Sequence, residues 1–215
     1  GAVGRDAGDV SGFFVYKDES TYYAKNRSTG SIDASGGDAT IVIQYAITNC
    51  PVNGTVTIMG GEYIINTSTE FTSVGDSSIT YYVGLFVRKN LTLTGEGSNR
   101  TVLKLAANQN YSSHPSVLLW ASAYTGFTLR DMTLDGNSGS NNYSYVYGSG
   151  LILTGGIRSN GVYENLVLKN TVGTGICFSN GTPSDEIING GSYLEYDSNV
   201  TNVRAINCQQ SGFVF

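Results

Sequence analysis

The chain repeats itself near its end. Asn165-Leu166-Val167-Leu168-Lys169-Asn170 runs on through Gly175 to Phe178, and Asn202-Val203-Arg204-Ala205-Ile206-Asn207 runs on through Gly212 to Phe215. Asn165 matches Asn202, Asn170 matches Asn207, Gly175 matches Gly212 and Phe178 matches Phe215, each 37 residues apart. A period in this range marks stacked repeats, in which each unit buries its apolar face against its neighbours. The unit reads as a short apolar strand, an Asn corner, a polar turn, a Gly and a second short strand: one coil of a solenoid. Asn at the bend can bond the backbone, or its counterpart one coil away in an amide ladder. Gly allows the positive φ of a tight corner.

Composition points the same way. With 28 Gly, 3 Pro and only 13% charged residues among 215, the chain suits many short strands joined by tight turns, not a helical bundle. A net charge of −5 leaves no electrostatic footprint for nucleic acid. No apolar run approaches the roughly 18 residues of a membrane span. Nine Asn-X-Ser/Thr sequons begin at Asn26, Asn53, Asn66, Asn90, Asn99, Asn110, Asn142, Asn180 and Asn199, which favours a glycosylated protein with an extracellular or cell-surface address. Of three cysteines, Cys177 and Cys208 fall near the corner of adjacent repeats and are candidates for a disulfide or a stacked thiol column, leaving Cys50 free. No CxxC or Cys/His spacing suggests a metal site.

In chain order, residues 1–36 form an N-terminal arm and β-hairpin. Phe13-Phe14-Val15-Tyr16 and Thr21-Tyr22-Tyr23-Ala24-Lys25 flank a polar turn, and a third strand runs through Ser31-Ile32-Asp33. Residues 37–215 form the solenoid and its cap. Asp38 is a good N-cap for an amphipathic helix whose apolar stripe is Ala39, Val42, Ile43, Ala46, Ile47 and Cys50. Short strands follow from Thr55 onward. The corner units Asn90-Leu91-Thr92-Leu93, Asp131-Met132-Thr133-Leu134, Asn165-Leu166-Val167-Leu168 and Asn202-Val203-Arg204-Ala205 share one pattern. Loops are expected at 67–82, 106–116, 136–148 and 179–192.

The order of helix, Gly54-Thr55-Val56-Thr57-Ile58, Gly61-Glu62-Tyr63-Ile64-Ile65, Leu91-Thr92-Leu93-Thr94-Gly95-Glu96-Gly97 and Thr101-Val102-Leu103-Lys104-Leu105 resembles the start of pectin-lyase-fold proteins. Met132-Thr133-Leu134-Asp135-Gly136-Asn137 is also typical of them. That superfamily includes pectate lyases, polygalacturonase-like hydrolases and phage tailspikes. The resemblance implies an all-β, single-stranded right-handed parallel β-helix with an N-terminal hairpin and a capping α-helix. It identifies the fold well and the function poorly.

The signatures of the family's polygalacturonase-like members are missing, and the sole His114 lies in a loop. Lyases of this fold pair Ca²⁺-binding carboxylates with an Arg or Lys base, for which Arg130, Asp131, Asp135, Arg158, Glu164 and Lys169 are candidates. Ca²⁺ enters only with that reading. Glycosidase chemistry needs two facing carboxylates, with Asp131/Asp135 or Asp185/Glu186 available. Capping turns and Asx corners account for most of these residues without catalysis. Tyr81, Tyr82, Tyr143, Tyr145 and Tyr147 fall in the expected loops and could line a glycan groove through their ring faces.

The sequence reading therefore favours a secreted, glycosylated, non-catalytic surface or filament protein. A polysaccharide lyase or glycoside hydrolase with incomplete catalytic coils stands second, and a glycan-binding, tailspike-like adhesin third. Phe213-Val214-Phe215 would leave an open sheet edge unless the natural chain continues or a neighbour caps it. Residues 1–25 of a neighbour docking on the Val203–Phe215 coil would build a homo-oligomer or filament along the solenoid axis.

Overall fold

A single residue makes each sharp corner. In a computed structural model, residues 11–67, 69–74, 80–109, 116–121, 126–141, 150–155, 158–159, 161–179, 182–183, 195–196 and 198–214 are described. Asp131, Asn165 and Asn202 there sit in the left-handed region, with φ of 59°, 52° and 51°. Asp and Asn tolerate this region better than other residues with a Cβ. The bend it makes does not end the strand, so one strand serves two faces of a coil.

The first coil is built from β4 (Thr55–Ile58), β5 (Gly61–Ile65) and β7 (Thr80–Val87), and the second from β8 (Thr92–Thr94), β9 (Thr101–Leu105) and β10 (Ser116–Ala121). In the third coil the first two faces fuse. The leading half of β11 (Thr128–Asp135) pairs with β8 and its trailing half with β9, while β12 (Gly150–Gly155) pairs with β10. Two further coils follow the same plan: β14 (Val162–Thr171) with β15 (Thr174–Ser179), then β18 (Asn199–Cys208) with β19 (Ser211–Val214). Pairing between coils on these three faces is parallel. This is the expected single-stranded parallel β-helix, right-handed as parallel crossovers are. Of the inserted strands, β6 (Thr69–Val74) makes an antiparallel hairpin with β7, and β16 (Thr182–Pro183) pairs with its end. β13 (Arg158–Ser159) pairs with β17 (Glu195–Tyr196). Within the stretch 67–82, expected as a loop, residues 69–74 and 80–82 are strand.

Parallel register stacks like positions into columns. Val56, Leu93, Leu129 and Tyr163 form one inside column, and Tyr63, Leu103, Leu134 and Leu168 a second. Leu85, Leu119, Ile152 and Ile176 form a third, and all twelve side chains are buried. Each such side chain stabilises the fold by about 1.5–3 kcal/mol. Corner side chains stack as well. Asn202 Nδ2 donates to Asn165 Oδ1 at 2.9 Å, and Asn165 Nδ2 donates to Asp131 Oδ1 at 2.9 Å. A second ladder runs from Asn207 to Asn170 (3.3 Å) and from Asn170 to Asp135 (3.2 Å). Donors point up the solenoid in both, and each ladder ends on a carboxylate that can only accept.

The N-terminal end is closed by its own chain. The hairpin of β1 (Gly12–Asp18) and β2 (Thr21–Asn26), with β3 (Ile32–Gly36), joins the first sheet because β1 runs parallel to β4. Gly12 is needed at that junction: its φ is +128°, and a Cβ there would collide with the Thr55 carbonyl. Helix α1 (Ala39–Asn49) starts at Asp38, whose Oδ1 accepts from Thr40 N at 2.8 Å. Its predicted stripe, Ala39, Val42, Ile43, Ala46, Ile47 and Cys50, is buried throughout. Opposite β7, the Gln44 amide donates to Phe86 O at 3.0 Å and accepts from Phe86 N at 2.8 Å, as another strand would. Lys89 Nζ satisfies the helix-end carbonyls of Thr48 and Cys50.

The three cysteines are free thiols. Cys208 pairs with Thr171 at the second corner, whereas Cys177 pairs with Leu153 on the third sheet. They belong to different faces of the coil, so the proposed disulfide does not form. Burial raises the pKa of all three thiols, which disfavours the reactive thiolate.

Two measurements check this account. Asn165→Asp sets a second carboxylate against Asp131, which raises the folded-state pKa of the pair. The variant should lose about 0.5–1.5 kcal/mol at pH 7 and less at pH 4, by urea unfolding at both pH values. Tyr63 has its pKa pushed up to about 12, first by burial and then by the Glu96 charge and Tyr22. Its hydroxyl donates to the Met59 carbonyl at 3.1 Å. A raised folded-state pKa favours the protonated native form, so this contribution is intact below the ordinary value near 10 and is lost as pH rises toward 12. Tyr63→Phe should flatten the alkaline decline relative to the parent chain.

Candidate functional site

Side chains that alternate with the inside columns point outward and are stacked by the same register. On the second sheet one outer row reads Ile64, Lys104, Asp135, Lys169, Ile206 across successive coils. Asp135 is only 7% exposed. Its Oδ1 accepts from Asn137 N at 2.9 Å and from Asn170 Nδ2 at 3.2 Å, and its Oδ2 lies 3.3 Å from Lys169 Nζ. Lys104 leans the other way, with Nζ 3.6 Å from Glu62 Oε2. Both lysines remain partly open to solvent, at 29% and 36%. Arg204, opposite Val167 in the neighbouring outer row, is exposed.

The corner beside this row is laced across three coils. Gln109 Oε1 accepts from Thr67 N and Oγ1, at 3.0 and 2.9 Å, and Gln109 N donates to Asn141 Oδ1 at 2.8 Å. Asn141 Nδ2 in turn bonds the carbonyl of Ala106 at 3.0 Å. Thr67 and Asn141 are buried. Such a satisfied polar seam fixes the turns and gives the Asp135–Lys169 pair a rigid edge.

Most sequence candidates find structural employment. Asp131 heads the first ladder, also accepts from Thr94 Oγ1 at 3.4 Å, and lies 3.7 Å from Arg130 Nε. Asp135 heads the second ladder. They lie at the two ends of one strand segment, each engaged with its own ladder, and so do not form a facing acid–base pair. Register sets Arg130 beside Glu164 on the outside of the first sheet. It brings Lys169 to Asp135, as the site reading needs, and adds Lys104, which sequence reasoning missed. The signal was the alternation of Val102-Leu103-Lys104-Leu105, which turns Lys104 outward. Arg158 lies in β13, and nothing further of its side chain is described. Tyr81 is buried, edge-on to Trp120 with ring centroids 4.9 Å apart, and does not line a groove; Tyr82 is half-buried in the same strand. His114, Tyr143, Tyr145, Tyr147, Asp185 and Glu186 lie outside the described residues, as do the sequons at Asn110, Asn142 and Asn180.

The remaining sequons differ in access. Asn53, Asn99 and Asn199 are exposed. Asn26 and Asn66 donate their amides to Asp33 and Asp38, and Asn90 is half-buried. Among the described residues no group of three or more His, Cys, Asp or Glu could hold a metal ion, and no helix is long and apolar enough to cross a membrane.

No protein-family profile matches the chain, and no curated protein matches it. Among solved structures it is similar to the A-module of mannuronan C-5 epimerase AlgE6 from Azotobacter vinelandii, at 23% identity and a TM-score of 0.49, over 65% of this chain and 36% of that one. It is also similar to the A-module of the epimerase AlgE4 from the same organism, at 19% identity and a TM-score of 0.37, over 82% of this chain and 54% of that one. The chain thus spans between about a third and about half of the lengths it matches. The expected non-catalytic filament protein is corrected by the hairpin: β1 is paired on one side by β2 and on the other by β4 of its own coil, and is not free to cap a neighbour. The filament reading is withdrawn.

The Asp135 cluster can be tested by stability alone. Asp135→Ala strands the Asn137 N–H and the Asn170 amide without their acceptor and should cost about 2–3 kcal/mol in urea unfolding. Asp135→Asn keeps an acceptor oxygen and should cost about half as much.

Proposed function

We propose that this chain is a module of a carbohydrate-active enzyme that takes an acidic polysaccharide across the outside of its second sheet. The observation that carries the reading is the Lys104–Asp135–Lys169 row. A nearly buried carboxylate holds Lys169 in one place while leaving its ammonium accessible, and Lys104 stands two coils away on the same line. Coils repeat about every 4.8 Å, close to the advance per sugar of an extended 1,4-linked chain. Cations on a rigid ladder can therefore meet the carboxylates of successive or alternate uronic acid residues.

Chemistry at uronic acids begins by neutralising that carboxylate. An ammonium on the carboxylate acidifies the adjacent carbon-bound hydrogen, and its removal opens either β-elimination or inversion at that carbon. Lys169 suits the neutralising role. As the ion-paired partner of Asp135 it does not suit the role of base, and Asp135 itself accepts from two amides and an ammonium. Asp135 is a positioning residue that acts through Lys169. The site reading leaves the proton acceptor to residues outside this row.

An extracellular setting follows from the substrate class, since acidic polysaccharides are secreted and wall polymers. The exposed sequons at Asn53, Asn99 and Asn199 support it. Mass spectrometry of native material should find glycan at these three before Asn26 or Asn66, whose amides are already engaged.

Incubation with mannuronan, polygalacturonate and a neutral xylan, each with and without Ca²⁺, tests the activity. Unsaturated ends, new reducing ends or inverted residues by proton NMR are expected on an acidic polymer only. Lys169→Ala should lower the rate on the order of tenfold or more, and Lys169→Arg should retain part of it. An unchanged polymer throughout would overturn the reading.

A further inference from the structure

We propose that the outer face of the N-terminal hairpin is a second, non-catalytic binding site for an acidic oligosaccharide. The strands of the hairpin alternate strictly. Phe13, Val15, Tyr22 and Ala24 are buried against the cap, so Phe14, Tyr16, Tyr23 and Lys25 must face out. The three rings are half-buried, and the parts they leave exposed make a contiguous apolar platform on the outer side of the ribbon. Tyr16 and Tyr23 are directly opposite and stacked, with centroids 5.2 Å apart and planes 19° from parallel. Phe14 lies opposite Lys25, and the Arg27 guanidinium sits 4.3 Å above its ring. A groove of about 390 Å³ opens here, floored by Met59 and Gly60 and walled by Phe14, Tyr16, Lys17 and Lys25.

Charge selects the occupant. The whole chain is acidic, at −5, yet no carboxylate lines the groove; Lys25 and the Arg27 guanidinium over Phe14 are its outward cations, while the Lys17 ammonium lies 5.5 Å over the Tyr22 ring. Neighbouring acids are occupied. Asp33 accepts from Asn26 Nδ2 and Ser31 Oγ, and Glu96 accepts from Gly60 N and is 3.0 Å from Arg100. Asp18 and Glu19 belong to the hairpin tip and do not line the groove. Flat aromatic faces take the C–H faces of sugar rings, and flanking cations take carboxylates. Together they fit a uronic acid oligomer better than a neutral one.

The groove is also placed to hand on a long ligand. Because β1 pairs with β4, the outer row of the first sheet continues from Phe14 through Thr57 and Thr94 to Arg130. The half-buried Thr57 and the exposed Arg130 thus follow the aromatic platform along the solenoid, with Thr94 buried between them and its hydroxyl engaged by Gly95 O and Asp131, one corner away from the Lys104–Asp135–Lys169 row. The proposal takes its ligand class from the polysaccharide reading above, but it does not depend on that row.

The experiment is a titration of the 215-residue chain with hexamannuronate and hexagalacturonate, with cellohexaose and inorganic phosphate as controls. Calorimetry or backbone NMR shifts give the affinity. An acidic hexamer is expected to bind, more weakly as salt rises, and to perturb amides of β1 and β2. The double variant Tyr23→Ala, Lys25→Ala removes only outward groups and should weaken binding about tenfold or more, while thermal unfolding confirms the fold. Lys169→Ala should leave these hairpin shifts in place. Binding that survives the double variant would overturn the hairpin site while leaving the polysaccharide reading intact. Hairpin binding without conversion of any polymer would keep the platform and remove the catalytic reading. Equal binding of cellohexaose, or displacement by phosphate alone, would overturn the specificity argued here, and no binding of any acidic hexamer would overturn both.

Discussion

The left-handed corner residue is the constraint on which the rest depends. At Asp131, Asn165 and Asn202 one residue with φ near 50–60° turns the chain and leaves the hydrogen-bond ladder nearly unbroken. An ordinary residue with a Cβ costs about 1–2 kcal/mol in this conformation, whereas Asn reduces the penalty and adds an amide that can reach the next coil. The ladder does more than hold the corner. It ties coil to coil at a fixed register, and register decides which side chains share a column. A slip of one residue would turn Leu134 and Leu168 outward and carry Asp135 and Lys169 into the core. The interior columns and the outer charged row are therefore two readings of one restraint.

The direction of the ladders explains two acidic residues that look catalytic in the sequence. Each Asn donates to the coil before it, so the first member needs acceptors and no donor. Asp131 and Asp135 fill that place, and a carboxylate accepts more strongly than an amide oxygen. Asp135 is nearly buried, and two amides and Lys169 compensate its carboxylate, as a buried carboxylate requires. A structural duty at one carboxylate oxygen thus leaves the other to orient an ammonium at the surface. Fold and candidate chemistry meet at this one side chain.

Much of this was legible in the sequence, and the failures are instructive. The 37-residue match between Asn165 and Asn202 gave the coil, its ladder and its corner, and the spacing of Val42, Ile43, Ala46 and Ile47 gave the cap helix and its buried face. The disulfide was misread although the same period held the answer: Cys177 plus 37 falls on Val214, and Cys208 minus 37 on Thr171. Equivalence in a solenoid must be read in phase, and proximity to a corner is not phase. Lys104 escaped because the second coil turns through a longer corner, from Gly95 to Arg100, instead of one left-handed residue. That insertion breaks the 37-residue period, and only the pairing of Lys104 with Asp135 restores the row. The strand β6 escaped because its partner is a local hairpin that no repeat encodes.

The solenoid's first coil shows how an open sheet is ended by side chains instead of by more backbone. A terminal strand leaves alternate N–H and C=O groups facing outward, a template for pairing with other chains. Here β4 is covered by β1, the leading half of β7 by β6, and the groups of Phe86 by the amide of Gln44, whose geometry copies a peptide unit. The helix that carries Gln44 would itself leave carbonyls unsatisfied at its end, and Lys89, just past β7, closes those of Thr48 and Cys50. Strand and helix thus terminate each other by exchanging one side chain apiece. The arrangement also frees the hairpin's outer face from any capping duty. Its inner residues and the β1–β4 backbone ladder hold it to the solenoid, so the side chains of Phe14, Tyr16, Tyr23 and Lys25 are available for a ligand without weakening the end of the coil.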